Sequence, residues 1–229
     1  MKKDIHTTRL EILPWYRRGH LGADILITSE QATAEDYCQA FDEYILSGEY
    51  YRQRSAVLSC EGCDICCQER IPLTALDVLG RQELPELGLS GFFQRYTYIT
   101  VSGRVVDIAL ARNSAGKCIF LDPHTRKCRS YAERPLVCRT YLCTYFSPRL
   151  KKLREALVNS GEDELVRLWA AGGKKQGYII HEADEPDVHV SDWRANSWTG
   201  KTSYSQIKLQ EIVTPALWEE LCQKGEGHV

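Results

Sequence analysis

The sequence predicts an α+β fold, a compact cysteine-rich module with a small antiparallel sheet and helices packed on it. Three observations predict it. Apolar residues recur at helical spacing before and after the middle of the chain. A run of alternating residues around Ser102-Gly103 reads as a hairpin. Eight of the ten cysteines fall between Cys60 and Cys143, on either side of that hairpin.

Taken in order, the chain opens with a short region containing Trp15 and Tyr16, followed by a helix over about 34–46. There Tyr37, Phe41, Tyr44 and Ile45 repeat at i, i+4, i+7 and i+8, which lines one helix face. Cys38 lies in this helix and reads as a small buried hydrophobe. Thr74 with Asp77 forms an Asp variant of the capping box, so a short helix starts near Ala75. Residues 96–100 and 104–109 alternate about Ser102-Gly103 as two paired strands. Cys118-Ile119-Phe120-Leu121 has strand character, Asp122-Pro123-His124-Thr125 is a turn, and the return segment brings Cys128 beside Cys118. Pro135 suits the first turn of a short helix running through Cys138 and Cys143. Ser147-Pro148 opens a helix with Leu150, Leu153 and Leu157 that Gly161 stops, and a second helix covers 162–170. A strand at 178–181 precedes an acidic stretch with His181, Asp184, Glu185, Asp187 and His189, read as a solvated turn. Trp193 and Trp198 are core or cover aromatics. Thr214-Pro215 starts a last helix ending at Gly225, with Cys222 on it as a packing residue.

With no repeat and no linker, the expectation is one α+β unit over 1–229. Its cysteine core spans 58–146, with helical or irregular extensions at 1–57 and 147–229. Hydrophobic residues make up 43% and charged residues 26%, so a disordered chain is excluded. A net charge of −2 argues against a general polyanion binder, and no apolar run approaches the 18 residues of a spanning helix. No secretory signal is visible behind the basic start, so a cytoplasmic location is expected.

In a reducing compartment, closely spaced cysteines read as metal ligands before they read as disulfides. Cys60-Glu61-Gly62-Cys63-Asp64-Ile65-Cys66-Cys67 repeats a Cys-x-x-Cys step that puts thiolates on one side of a tight loop. The triple step approaches the run that grips three irons of a cubane cluster. Neighbouring side chains diverge, so Cys66 and Cys67 are not expected to serve one ion together. A second group, Cys118, Cys128, Cys138 and Cys143, must be gathered by the fold. All eight are candidate ligands, in two four-thiolate sites or one cluster with spare thiols. His124 could complete a site in place of a cysteine. Residues 122–155 hold nine basic against three acidic residues, and cations near thiolates stabilise them. The same charge also fits a solvated face, or phosphate contacts beside a zinc ribbon.

These residues resemble the zinc- or iron-chelating cysteine-cluster family known as CxxCxxCC or YkgJ. The resemblance runs from Cys60 to Cys67 into Ile71-Pro72-Leu73-Thr74, then through Cys118-Ile119-Phe120-Leu121 and from Cys128 to Arg139. It covers about 58–146 and implies a metal-binding module held by Cys60, Cys63, Cys66, Cys67, Cys118, Cys128 and Cys138. Cys143 lies past that pattern and rests on spacing alone. A related module occurs in flagellin lysine N-methylases, which makes protein methylation an analogy.

Three functions follow as expectations. The first is a redox, iron-handling or modification-accessory protein with an iron–sulfur cluster of the 4Fe-4S type. The second is a structural zinc module that docks a protein or nucleic-acid partner, with nucleic acid disfavoured because no helix carries a base-reading pattern. The third is a lysine N-methylase-like enzyme, against which stands the lack of a glycine-rich strand-to-helix turn. Gly172-Gly173-Lys174-Lys175 is no phosphate loop. No catalytic constellation stands out, and whether the chain is an enzyme is left open.

Overall fold

Leu10–Arg17 (β1) and His20–Ile27 (β2) pair antiparallel from Leu10↔Ile27 to Arg17↔His20. Gly19 takes a left-handed φ of 79° in the turn, where a Cβ would be strained. This hairpin is not among the sequence expectations; Pro14 lies within β1, which as an edge strand tolerates it. β2 is flanked on its other side by residues 145–147. Ala23 donates its N–H to Tyr145 O at 2.8 Å, and Ser147 returns one to Ala23 O at 2.9 Å. A Cβ on Gly22 would lie 2.4 Å from Tyr145 O, so only glycine permits that approach.

The computed structural model describes residues 9–17, 19–47, 63–172, 178–181 and 188–225. The chain divides into two units. One comprises residues 1–53, 142–157 and 204–229, and the other 54–141 and 158–203.

In the first unit, Ala34–Ser47 (α1) forms where the apolar stripe placed it, burying Tyr37, Cys38, Phe41 and Tyr44. Phe41 packs against Tyr37 and Phe146. Asp24 on β2 is 1% exposed. It accepts hydrogen bonds from Arg149 Nη2 at 2.7 Å and Nε at 2.8 Å, and from Ser147 Oγ. Arg149 Nη1 also donates to the carbonyls of Glu220 and Gln223, tying down the end of Pro215–Leu221 (α6). Thr214 caps α6 as its sequence predicts. The helix stops at Leu221, short of Gly225, and leaves Cys222 exposed, a correction to the packing role expected of it.

The second unit holds a three-stranded sheet. Thr97–Ser102 (β3) and Val105–Leu110 (β4) are the expected antiparallel hairpin, turning at Gly103 with φ 59°. Tyr178–His181 (β5) joins β3 in parallel. The short helix Ala75–Leu79 (α2) carries the full capping box, with Thr74 N and Oγ1 both donating to Asp77 Oδ2. Leu84–Tyr96 (α3) was not anticipated, and it contains Pro85, Gly88 and Gly91. Pro85 occupies the first turn, and Gly88 kinks the helix at φ 65°. Ile99, Ile108, Val78, Phe92, Phe93, Leu165 and Trp169 form the core. Trp198 is buried and Trp193 half-buried, in line with their reading as core and cover.

Pro148–Ala171 (α5) is one helix of 24 residues, where sequence reading expected two separated at Gly161. The glycine serves close packing rather than termination. A Cβ at Gly161 would sit 2.7 Å from Thr74 Cβ and 2.9 Å from Trp198 Cη2. One turn of α5 also faces a charged cluster. Arg70 donates two hydrogen bonds to the Asp107 carboxylate on β4 and one, of 3.2 Å, to Glu162 Oε1. Burial and the neighbouring Asp107 carboxyl push Glu162 up to about 8.

Candidate metal centre

The first cysteine loop enters a 3₁₀ turn, Cys66–Gln68, whose amides return to the loop through Cys67 N to Asp64 O at 3.1 Å. Such a tight turn brings adjacent side chains together. Cys67 donates its S–H to the Cys66 sulfur, and this bond draws the Cys66 thiol down to about 7 while pushing Cys67 far up. The expectation that Cys66 and Cys67 diverge is thereby corrected. Cys63 is half-buried and Cys66 exposed. Cys60 lies outside the described residues, as do Asp184, Glu185 and Asp187 of the acidic stretch.

The second group is presented by two short elements. Cys118 N donates to Cys67 O at 2.8 Å, which fastens the two cysteine stretches backbone to backbone. The strand expected at 118–121 is reduced to isolated bridges, Arg112↔Cys118 and Leu121↔Cys128. These bridges still bring Cys128 back beside the Cys118 segment, as foreseen. Asp122 Oδ1 closes the turn by accepting from His124 N and Thr125 N, both at 2.9 Å. His124 is exposed in that turn. Cys138 rides on Leu136–Arg139 (α4), four residues long, after Pro135 in the N-cap position. The helix ends before Cys143, contrary to the expected helix through both. Cys143 falls in the first unit and Cys138 in the second.

Electrostatics show which thiols share surroundings. Cys66 raises Cys67 and Cys138, Cys118 raises Cys67 and Cys138, and Cys128 raises Cys118. Burial is the first cause for Cys118 and for Cys138, which lies well above its ordinary value. Arg134 opposes this, favouring the thiolates of Cys66 and Cys138. Cys66, Cys67, Cys118, Cys128 and Cys138 thus form a neighbourhood of thiols, with no disulfide among the described cysteines. Among the described residues, no group of three or more Cys, His, Asp or Glu side chains is arranged to hold an ion as it stands. The fit to a metal is one of donor chemistry: an all-sulfur set next to a guanidinium suits a thiophilic ion or cluster. Cys38, fully buried on α1, is the core residue it was expected to be.

Three residues that sequence reading did not assign to the site hold it together. Asp64, between Cys63 and Cys66, is 4% exposed. It accepts from Lys117 Nζ at 2.7 Å and from Arg126, which hold its carboxyl at about 2. Asp77 was read only as a cap for α2. Its second oxygen accepts from Leu136 N at 2.7 Å and so caps α4, the helix of Cys138. Arg81 is buried, lies 4.4 Å over the Phe120 ring, and donates to Ser130 Oγ at 2.7 Å and Glu133 O at 2.8 Å. It pins the Cys128–Cys138 stretch to the end of α2. A buried acid inside a Cys-x-x-Cys loop was the one available signal, since a charge there requires a partner.

Residues 59–156 match the model of the CxxCxxCC family, described as a "Putative zinc- or iron-chelating domain". The chain is also similar to an uncharacterized protein of Methanocaldococcus jannaschii, 29% identical over 99 residues. That stretch is 43% of this chain and 47% of the relative, so the chain spans about half the length of the curated protein it matches. No solved structure matches the chain. No helix among the described residues is long and apolar enough to cross a membrane.

Proposed function

Residues 59–156 carry the CxxCxxCC signature, and from that premise we propose that this cysteine cluster holds an iron–sulfur centre of the 4Fe-4S type. The proposed role is redox, iron-handling or accessory to a modification reaction in the cytoplasm. The observation that carries the reading is the thiol neighbourhood of Cys66, Cys67, Cys118, Cys128 and Cys138, drawn from three separate stretches. Metal binding is the coarser statement that the family match supports. The choice of iron rests on the Cys-x-x-Cys-x-x-Cys step of Cys60, Cys63 and Cys66. Cys60, Cys63, Cys66, Cys67, Cys118, Cys128 and Cys138 are the proposed ligands, and Cys143 is an eighth candidate. Bound there, an iron–sulfur centre supplies one-electron chemistry. The chain's own contribution is electrostatic. Arg134 favours negative charge on Cys66 and Cys138, and charge on or near sulfur is one lever on cluster potential. A protein partner fits this role better than nucleic acid.

Anaerobic purification tests the reading. Brown protein that absorbs near 400 nm, bleaches with dithionite and contains iron and sulfide supports it. Colourless protein with stoichiometric zinc overturns the iron assignment in favour of a closed structural site.

A further inference from the structure

Asp64 stands between two proposed ligands, and each of its partners lies just before a cysteine of the second group in sequence. Lys117 precedes Cys118, and Arg126 lies two residues before Cys128. Lys117 Nζ reaches Asp64 Oδ2 at 2.7 Å and Arg126 Nη2 reaches Oδ1. The Asp64 side chain is 6% exposed, while those of Lys117 and Arg126 are 36% and 54% exposed. The carboxylate is therefore the buried hub, and the cations reach inward to it. Arg126 does so from a left-handed backbone conformation, φ 56°, unusual for a residue with a Cβ. Asp122 O fixes that conformation by accepting from Arg126 N at 2.9 Å. Strain of this kind persists only where its surroundings demand it. One backbone bond, Cys118 N to Cys67 O, also joins the loop to the hairpin. The two ion pairs add a side-chain tie on each oxygen of one carboxylate.

We infer that Asp64 is a positioning residue, a two-cation clamp that holds the Cys63–Cys67 loop against the Cys118–Cys128 hairpin so that thiols of both stretches can engage the same metal. The inference rests on the metal-binding reading above and deepens it. Groups outside the ligand shell that orient ligands commonly change metal affinity by about 10–100-fold when removed. Because the clamp's cations are substantially exposed, its loss should bear on ligand geometry more than on global stability.

Cobalt(II) serves as the probe, since its thiolate charge-transfer absorption reports sulfur ligation whichever metal is native. Wild-type full-length protein is loaded with cobalt and challenged with EDTA, and the decay of absorbance is followed. D64N keeps the side-chain shape, removes the charge, and is expected to release cobalt about ten-fold faster. The far-ultraviolet circular dichroism of the two cobalt-loaded proteins should superimpose, as a merely structural loss would not allow. D64E, which keeps the charge, should release cobalt more slowly than D64N. Equal release by wild type and D64N overturns the clamp. Wild type that holds neither iron nor zinc as purified and takes up no cobalt overturns the metal-binding reading itself, and the clamp with it. If D64N does not fold, K117M removes a single exposed partner and carries the same comparison, with faster release expected and unchanged release refuting.

Discussion

Replacing Glu162 with Gln should flatten the pH dependence of stability in a defined window. In the folded protein Glu162 holds its proton up to about 8, against an ordinary value of 4.5, because it is buried and its neighbour Asp107 is also an acid. The unfolded chain releases that proton near the ordinary value. Between these limits the native state binds more protons than the unfolded one, so stability falls as pH rises from about 4.5 to about 8 and then levels off. At about 1.4 kcal/mol per unit the ceiling is roughly 5 kcal/mol. The Glu162 side chain is 17% exposed and the Arg70 side chain 45% exposed, and solvent screening reduces the expectation to about 2–3 kcal/mol. Gln cannot ionise, yet it can still donate to Asp107 and accept from Arg70. Urea unfolding at constant ionic strength from pH 5 to 9 measures the difference between wild type and E162Q, which cancels the other titrating groups. The variant should match wild type near pH 5 and exceed it by about 2–3 kcal/mol at pH 9. A difference that does not change with pH refutes the reasoning.

Cys138→Ser should lose metal and native structure together, because binding energy at such a site is partly folding energy. Elemental analysis with circular dichroism checks this, with Cys38→Ala and Cys222→Ala expected to keep full metal content. Asp24→Ala leaves the Arg149 charge buried with its carboxylate gone and should cost about 3–5 kcal/mol, read from denaturant unfolding. Gly161→Ala should destabilise by about 1–2 kcal/mol. Alanine gains about 1 kcal/mol of helix propensity, but its Cβ meets Thr74 at 2.7 Å, and overpacking of this kind outweighs the gain.

Features set by local chemistry could be read in the sequence. The Thr74–Asp77 box, the turn at Gly103, the stripe of α1 and the Thr214 cap each depend on a few neighbouring residues, and each formed where expected. The reading of Gly161 as a helix stop failed, because the helix runs through it to Ala171. Thr74 and Trp198 occupy the space a Cβ at Gly161 would need, so the glycine serves that close packing, and Pro14 lies in β1 at a sheet edge that tolerates it. The site divides in the same way. Cysteine spacing pointed to the thiols, while Asp64, Asp77 and Arg81 act across 49 to 62 residues of sequence and leave no local pattern. Only a fold can show that Asp77 faces Leu136.

That carboxylate has a consequence for motion. Its two oxygens cap the starts of two different helices, so α2 cannot fray without stripping a hydrogen-bond acceptor from α4. The amide protons of Thr74, Asp77 and Leu136 should then exchange with solvent at one common rate, as members of a single opening unit. Cys138 would leave and rejoin its companions on the same clock.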